Sequence, residues 1–285
     1  MASEVRRKTT IKKLMQKKAE GERITSLGVY DAPMAQIADR VGFDLLMNGN
    51  AGPMSLLGHP DPVRVRFEEQ LILTQAVARV TRYAMIVSHL PFMTYHKSKY
   101  DAITNAARMV AEGGADAVKC EGNAHTAEYI GEIVSAGIPV VGHIGMQASR
   151  RTEQSGYGKK GRTAEEAARI VESAHSFVEA GVFAFVVEQV PAEVATLLAR
   201  TLPVPVLGVV AGNDLDGVYE ISGDLVGYGA FPRPTHKRVF ADVTPEIENA
   251  LTQYREESLK GVYPPEEHTL RMDPDEYQKL LDLVA

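Results

Sequence analysis

Hydrophobic residues along this chain form short continuous runs, and amphipathic stretches separate many of them. Most runs are too short for helices and too continuously apolar for a sheet with one solvated face, so they predict buried parallel strands. The predicted strands are residues 25–30, 43–49, 84–90, 116–122, 139–145, 183–190, 204–212 and 224–231. Helical patterns lie between them at residues 32–42, 100–114, 163–181 and 191–202. This alternation predicts an α/β fold, a closed (β/α)8 TIM barrel, with an open doubly wound sheet as the alternative.

Further helical patterns lie at the two ends of the chain. The N-terminal residues are rich in charge, and helical patterns return at residues 244–261 and 274–284. We therefore expect a single barrel domain over residues 1–285, with an N-terminal helical segment at 1–24 and a C-terminal arm at 262–285. An amphipathic arm needs an apolar surface to rest on, either on its own barrel or on a second copy. A homo-oligomer is therefore expected.

Composition narrows the class of partner. The chain has 37 acidic and 31 basic residues, a net charge of −6, and its basic residues are scattered. No signal-peptide pattern opens it, and no run approaches the roughly 18 apolar residues that a membrane span needs. The single cysteine, Cys120, excludes an internal disulfide and a cysteine-based zinc cluster. We expect a soluble, cytoplasmic protein that acts on a small molecule and has no nucleic-acid or membrane partner.

Polar residues close most of the predicted strands. In a parallel barrel the functional site lies at the C-terminal ends of the strands. The residues found there are Tyr30, Asp31, Asn48, Asn50, Ser88, His89, Lys119, Glu121, His143, Glu188, Asn213 and Asp214. A barrel built for stability alone does not need so many ionisable groups at one mouth. Their convergence predicts an active site.

Several of these residues lie in motifs whose order along the chain resembles one enzyme family. The motifs include NGNAGPMSLLGH (48–59), HLPFMTY (89–95), VKCEGN (118–123), PVVGHIGM (139–146) and VVEQVPAEVA (186–195). They resemble the ketopantoate hydroxymethyltransferases, barrels of the phosphoenolpyruvate mutase and isocitrate lyase superfamily. The resemblance implies a transferase in which a 2-oxo acid loses the proton beside its ketone. The resulting enolate then adds to a one-carbon unit of methylenetetrahydrofolate.

The resemblance also implies roles for individual residues. Glu188 matches the catalytic base, Lys119 and His143 match substrate-binding positions, and Glu121 matches an acidic residue beside a metal. The sequence itself agrees for Glu188, because this carboxyl interrupts a strand of Phe, Val and Ala, a setting suited to proton abstraction. With His89, these residues are the predicted catalytic set. The alternative for Glu188 is a structural partner for a buried cation such as Lys119.

Three segments depart from the family pattern. Where the family has G-D-S-x-G-M, with a metal-binding aspartate and a substrate-binding serine, this chain has Asn50 and Ala51. The second metal aspartate corresponds to His89, and the family's T-P-Q corresponds to Gln-Ala-Ser at 147–149. A metal would therefore have to bind at Asn50, His89 and Glu121. Asn50 and Ala51, with Lys119 and His143, are also the predicted substrate-binding positions.

The resemblance implies Mg²⁺ at this position, but these departures weaken that case and leave three hypotheses open. Each lost carboxylate charge is worth about 4 kcal/mol to a cation 4 Å away at an effective dielectric constant near 20. The site could have changed to Zn²⁺, Mn²⁺, Fe²⁺ or Co²⁺. It could work without a metal, with His89 and Lys119 holding the oxyanion. It could also have lost the ancestral chemistry.

The functional prediction is accordingly a divergent member of the family. We expect a hydroxymethyltransferase-like or lyase-like enzyme that makes or breaks a C–C bond beside the ketone of a 2-oxo acid, or of a related carbonyl acid, through an enolate. The substrate is expected to have diverged, and methylenetetrahydrofolate need not be the one-carbon donor. The alternative is a catalytically silent barrel that serves as a binding or assembly partner.

Overall fold

A computed structural model of the protein describes residues 6–231 and 237–285 and shows a closed parallel barrel. Each strand pairs with the next along the chain, and β8 closes the barrel against β1. The strands are β1 Ile24–Gly28, β2 Leu45–Asn48, β3 Met85–His89, β4 Ala117–Glu121, β5 Val140–Gly145, β6 Ala184–Glu188, β7 Val206–Val209 and β8 Gly217–Ile221. This architecture confirms the predicted (β/α)8 barrel over the open sheet.

Helices surround the barrel and extend beyond it. They are α1 Ile11–Glu20, α2 Ala32–Val41, α3 Ala51–Leu57, α4 Phe67–Ala78, α5 Lys99–Ala111, α6 Ala127–Ser135, α7 Ala164–Glu179, α8 Ala192–Thr201, α9 Ser222–Val226, α10 Thr244–Leu259 and α11 Pro274–Val284. The six helical patterns read from the sequence correspond to α2, α5, α7, α8, α10 and α11. Short 3₁₀ turns lie at Pro62–Arg64, Ala124–Thr126, Ala148–Arg150 and Glu266–His268.

The strands bury both faces, which explains their nearly continuous apolar sequences. Side chains alternate between the barrel interior and the layer beneath the helices. Met47 and Val87 belong to the inner cluster, whereas Leu46 and Ile86 belong to the outer one. Leu14 of α1 also joins the inner cluster. Helix α1 therefore contributes to the core inside the barrel.

The predicted eighth strand at residues 224–231 is wrong. The structure places β8 at Gly217–Ile221, and residues 222–226 form α9. The prediction relied on continuous apolar character, but β8 includes Glu220, and Val218 is 40% exposed. No helix separates β7 from β8 in sequence, so the expected strand–helix rhythm also fails here. A partly solvated strand lacks a continuous apolar run, so a search for such runs does not identify it.

Five residues predicted for the barrel mouth have other positions or roles. Asn48 and Ser88 face outward beneath α4, where the Gln70 side-chain amide donates to Asn48 Oδ1 at 2.9 Å and Ser88 Oγ lies 2.7 Å from Thr74 Oγ1. Asp31 caps α2, and its carboxylate accepts the backbone N–H of Met34 at 2.8 Å. Asn213 and Asp214 lie in the β7–β8 connection. The side chain of Arg23, just before β1, donates to the carbonyl oxygen of Asn213 at 2.6 Å, so this connection lies at the opposite, N-terminal end of the barrel. These two residues were misassigned because the eighth strand was placed too far along the chain, whereas residues 213–214 come before β8 and not after a strand end at the mouth.

The chain divides into two compact units. The first contains the barrel and runs to Leu225, with Gly229–Arg238, and the second comprises Val226–Tyr228 and Val239–Ala285. The second unit contains α10 and α11, so residues 262–285, predicted as an arm, belong with the preceding helix. Of the predicted N-terminal segment, residues 1–5 lie outside the described part, and α1 occupies most of the remainder. Within the described residues, no helix is long and apolar enough to cross a membrane.

Candidate active site

Five inward-facing polar side chains from four adjacent strands meet at the C-terminal end of the barrel. Strand register pairs His89 with Lys119, and Glu121 with His143. Glu188 ends β6, opposite Gly145 of β5. The alternation that points Val87, Ala117 and Val141 into the inner core points these residues inward as well. The strands therefore bring together all four predicted catalytic residues and Glu121.

Glu121 is held by hydrogen bonds from a turn and a loop. Its carboxylate Oε1 accepts the Asn50 side-chain amide Nδ2 at 2.6 Å, and its Oε2 accepts the backbone N–H of Ser149 at 2.9 Å. Asn50 Nδ2 also lies 3.2 Å from Ser149 Oγ. Asn50 stands at the N-cap position of α3 but makes no capping bond, so its side chain is available for Glu121. Only 1% of Glu121 is exposed.

His143 lies between the two carboxylates. Its Nε2 is 3.1 Å from Glu188 Oε2, a close polar contact without the alignment of a full hydrogen bond. Its Nδ1 is 3.4 Å from Glu121 Oε1 and 3.1 Å from Lys119 Nζ. His143 therefore contacts the base candidate on one side and the buried Lys119–Glu121 pair on the other. The Glu188 side chain is 19% exposed, which leaves it accessible to a substrate.

Burial and mutual contacts change the proton affinities of these groups. Burial alone would raise the pKa of Glu121, but the bond to His143 and the charge of Lys119 lower it well below its usual range. Burial lowers the pKa of Lys119, and the two carboxylates offset this only in part. For His143, burial acts to lower the pKa, but the contacts with both carboxylates raise it overall. The resting site therefore keeps Glu121 ionised beside a cation.

His89 differs from its neighbours because its ring makes no hydrogen bond. It is 1% exposed, and neither Nδ1 nor Nε2 has a partner among the described residues. Burial lowers the pKa of His89 well below its ordinary value, and the charge of Lys119 adds to the effect. His89 is therefore a neutral imidazole in the folded protein, with one N–H donor left unused.

Comparison with known proteins identifies the family of the chain. The family model described as ketopantoate hydroxymethyltransferase matches residues 8–266. The chain belongs to this family. A 3-methyl-2-oxobutanoate hydroxymethyltransferase from Moorella thermoacetica is 39% identical over 93% of this chain and 99% of its own length. The ketopantoate hydroxymethyltransferase family resemblance in the sequence motifs is thus confirmed.

Solved structures of other proteins share this fold. A 2,3-dimethylmalate lyase, described as a PEP mutase/isocitrate lyase superfamily member, aligns with a TM-score of 0.54 and 16% identity, over 97% of this chain and 99% of its own. A phosphonopyruvate hydrolase in complex with oxalate and Mg²⁺ aligns with a TM-score of 0.56 and 14% identity, over 96% and 95%. At these identities the likeness concerns the fold.

The residues at the expected metal position of the ketopantoate hydroxymethyltransferase family do not fit a hard dication here. Such ions prefer carboxylate oxygens, and both oxygens of Glu121 already accept hydrogen bonds. Asn50 turns its NH₂ group toward Glu121, and His89 supplies only a single imidazole. In the part of the chain that the structure describes, no three His, Cys, Asp or Glu side chains are arranged to hold an ion. The same holds for Zn²⁺, Mn²⁺, Fe²⁺ and Co²⁺, because each would have to bind Glu121, whose two oxygens already accept hydrogen bonds.

Ala51 gives the predicted substrate-binding serine position a different character in this family member. It is the first residue of α3, directly after Asn50. A methyl side chain can contact a ligand but cannot donate or accept a hydrogen bond. Any substrate contact at this position is therefore apolar.

Sequence reasoning missed two residues of the site, Ser149 and Tyr219. Ser149, which donates to Glu121, lies in the altered 147–149 segment, and that alteration was the available signal. Tyr219 was missed because β8 was misplaced. Its hydroxyl lies close to that of Tyr30, and a Cβ at Gly28 would come within 2.7 Å of Tyr30 OH and 2.9 Å of Tyr219 OH. The glycine therefore makes room for a buried pair of tyrosine hydroxyls, whose pKa values burial raises.

A cavity of about 370 Å³ adjoins this region. Phe92, Met93 and His96 from the loop after β3 line it, together with Ser149. Burial lowers the pKa of His96 to about 4, and the charge of Arg150 adds to this shift, so its ring is neutral near pH 7. Because Ser149 contacts both Asn50 and Glu121, the cavity lies next to the polar cluster.

Proposed function

We propose that this protein is an enzyme that makes or breaks a carbon–carbon bond at the carbon beside the ketone of a 2-oxo acid, through an enolate. The observation that carries the proposal is the position of Glu188, a partly exposed carboxylate next to His143, which on its other side contacts the buried Lys119. A base beside cationic or donor groups is what enolate formation requires. The Moorella relative's name describes hydroxymethyl transfer to 3-methyl-2-oxobutanoate. Hydroxymethyl transfer is therefore our first candidate reaction.

Glu188 is the proposed base. It is the most accessible acid of the cluster, whereas Glu121 is fully enclosed and already accepts several hydrogen bonds. Proton transfer requires the carboxylate to reach the substrate carbon. His143 is the proposed positioning residue, because its Nε2 lies against Glu188 Oε2. Lys119 is the proposed cation for the ketone or carboxylate oxygens of the substrate.

We propose that the substrate differs from 3-methyl-2-oxobutanoate. Ala51 replaces a polar contact with a methyl group, and the adjoining cavity is lined by Phe92, Met93 and Val63. Apolar walls favour a substrate or electrophile with an apolar group. Methylenetetrahydrofolate remains the one-carbon donor suggested by family resemblance, and an aldehyde or a second carbonyl acid is the alternative electrophile.

The test is solvent exchange at the acidic carbon. The protein is incubated in D₂O with 3-methyl-2-oxobutanoate and a panel of other 2-oxo acids, with and without divalent metals, and loss of the proton signal is followed by NMR. We expect exchange with at least one acid, and a fall of about 100- to 10,000-fold in Glu188→Gln. Glu193→Gln, an exposed glutamate in the first turn of α8, is the matched control.

The outcome separates this proposal from a catalytically silent barrel. A silent barrel would show no exchange with any acid, with or without metals, and no difference between Glu188→Gln and the native protein. The family assignment and the open, partly exposed base disfavour that alternative. Exchange that persists in Glu188→Gln would support an enolate mechanism but show that Glu188 is not the base.

We also propose a cytoplasmic homo-oligomer. Helices α10 and α11 of the second unit contain no buried residue, and large apolar side chains on them are exposed. These include Leu251 at 61%, Tyr277 at 53% and Leu283 at 83%. Apolar area of this kind usually contacts another protein surface. Light scattering of the purified protein would show a mass above that of one chain, and a monomeric mass would contradict the proposal.

A further inference from the structure

The Asn50 amide occupies the place at Glu121 where an ion would have to bind. Asn50 Nδ2 lies 2.6 Å from Oε1, the length of a strong hydrogen bond to a charged acceptor, and the Ser149 N–H takes Oε2. These donors spread positive partial charge over a buried carboxylate. Glu121 therefore has its electrostatic compensation from the chain itself, supplemented by His143 and Lys119.

His89 provides the second observation. A buried donor without a partner destabilises the folded protein, so an unused N–H in a site points to a ligand that accepts from it. His89 faces the barrel interior beside Lys119, its register partner on β4. A neutral imidazole can polarise a carbonyl as a hydrogen-bond donor without transferring its proton. The pair thus offers one N–H and one ammonium to the same face of a ligand.

We propose that His89 and Lys119 hold the enolate oxygen directly, in a reaction that needs no metal ion, while Asn50 performs the charge compensation at Glu121. This inference rests on the proposed function for the identity of the ligand. In the step, the C–H bond beside the ketone breaks and its proton goes to Glu188. The C–H electron pair forms the C=C bond, and the carbonyl π pair moves to oxygen. His89 and Lys119 donate hydrogen bonds to that oxygen and keep their protons.

The first test measures metal binding without turnover. Free Mn²⁺ is titrated by electron paramagnetic resonance against the chelator-treated native protein and against Asn50→Asp/His89→Asp. Two carboxylates restore the donors that a hard dication prefers. We expect the double variant to bind Mn²⁺ at least about 100-fold more tightly than the native protein. His175→Asp/Asn213→Asp, which changes the same residue types at exposed positions, should bind like the native protein.

The second test measures anion binding without metal. Oxalate, a planar dianion that resembles the enolate of a 2-oxo acid, is titrated into the chelator-treated native protein, and histidine ring signals are followed by ¹⁵N NMR. We expect oxalate to bind and to shift one histidine, assigned by its loss in His89→Gln. We expect His89→Gln and His89→Asn to weaken oxalate binding about 10- to 100-fold. Circular dichroism confirms that at least one of the two variants is folded.

The outcomes separate this inference from the proposed function. Native protein that binds Mn²⁺ as tightly as Asn50→Asp/His89→Asp, or that binds oxalate only when a metal is added, would overturn the metal-free site. Oxalate binding unaffected by both His89 variants would remove His89 from it. Neither titration depends on turnover. If both titrations give the expected results but no 2-oxo acid exchanges its proton, the proposed reaction is wrong and the metal-free anion site stands.

Discussion

The two ends of the barrel are both rich in charged side chains, but the charges are arranged differently. At the N-terminal end, Lys17 pairs with Asp44 at 2.9 Å, and Lys18 pairs with Asp216 at 2.8 Å. Both carboxylates also accept backbone N–H groups, so each charge is satisfied within the chain. At the C-terminal end, His89 has no partner among the described residues and Glu188 is partly open.

The contrast teaches how to distinguish a structural charge from a functional one. Residue type and burial do not distinguish a structural charge from a functional one, because Lys17 and Lys119 are both buried lysines beside carboxylates. The two lysines differ in whether burial or carboxylate contacts dominate their pKa. Contacts with Asp44 and Glu22 outweigh burial and raise the pKa of Lys17, whereas burial outweighs the carboxylates and lowers the pKa of Lys119. An incompletely compensated buried charge is a stability cost that a ligand can offset.

The largest effect expected from this contrast between the two ends is at Lys119. In Lys119→Met the exchange rate should fall about 100- to 1000-fold, because the developing oxyanion loses a charged donor. The free energy of unfolding should fall less than in Lys17→Met, because the loss of a poorly compensated buried charge offsets part of the cost of leaving Glu121 with Asn50, Ser149 and His143 as its partners. Exchange rates in D₂O and urea denaturation measure the two quantities. A large loss of stability with unchanged exchange would show that Lys119 is a structural charge after all.

Lys17 should show the opposite pattern. Lys17→Met leaves Asp44 without its cation, so the free energy of unfolding should fall by about 2 kcal/mol. The exchange rate per folded molecule should not change, because this pair lies at the other end of the barrel. The same two assays apply. A drop in exchange at full folding would mean that the two ends are coupled.

The smallest expected effect concerns pH and His96. The pKa of His96 is about 4 in the folded protein against 6.5 for an ordinary histidine. Between these values the unfolded chain binds a proton that the folded protein does not, so stability falls as the pH drops from 6.5 to 4. We expect about 1–2 kcal/mol from this residue, since solvent reaches the partly exposed ring.

Urea denaturation at pH 7 and pH 5 measures this slope. His96→Gln should flatten it, although buried His89 acts in the same direction and preserves part of it. His175→Gln, at an exposed position of α7, is the control and should keep the native slope. An equal slope in His96→Gln would show that the pKa of His96 is the same in the folded and the unfolded protein.

Sequence reasoning recovered most of the barrel because buried parallel strands carry a strong, continuous apolar signal. Glu188 and Lys119 were found because an ionisable residue inside such a run is conspicuous. The same rule failed at β8, a strand of only 5 residues in which Glu220 interrupts the apolar run, and Tyr219 and residues 213–214 were misplaced with it. Ser149 was noticed only as an altered position, because its contribution to Glu121 is a backbone N–H that residue type does not reveal.

The hydrogen bond from Asn50 to Glu121 has a consequence for how uniform the population of molecules is. A bound ion has an occupancy that depends on its concentration in the medium and on every competing chelator. An amide attached to the chain cannot dissociate. Every folded copy therefore carries the same compensating group at Glu121, whatever cations surround it.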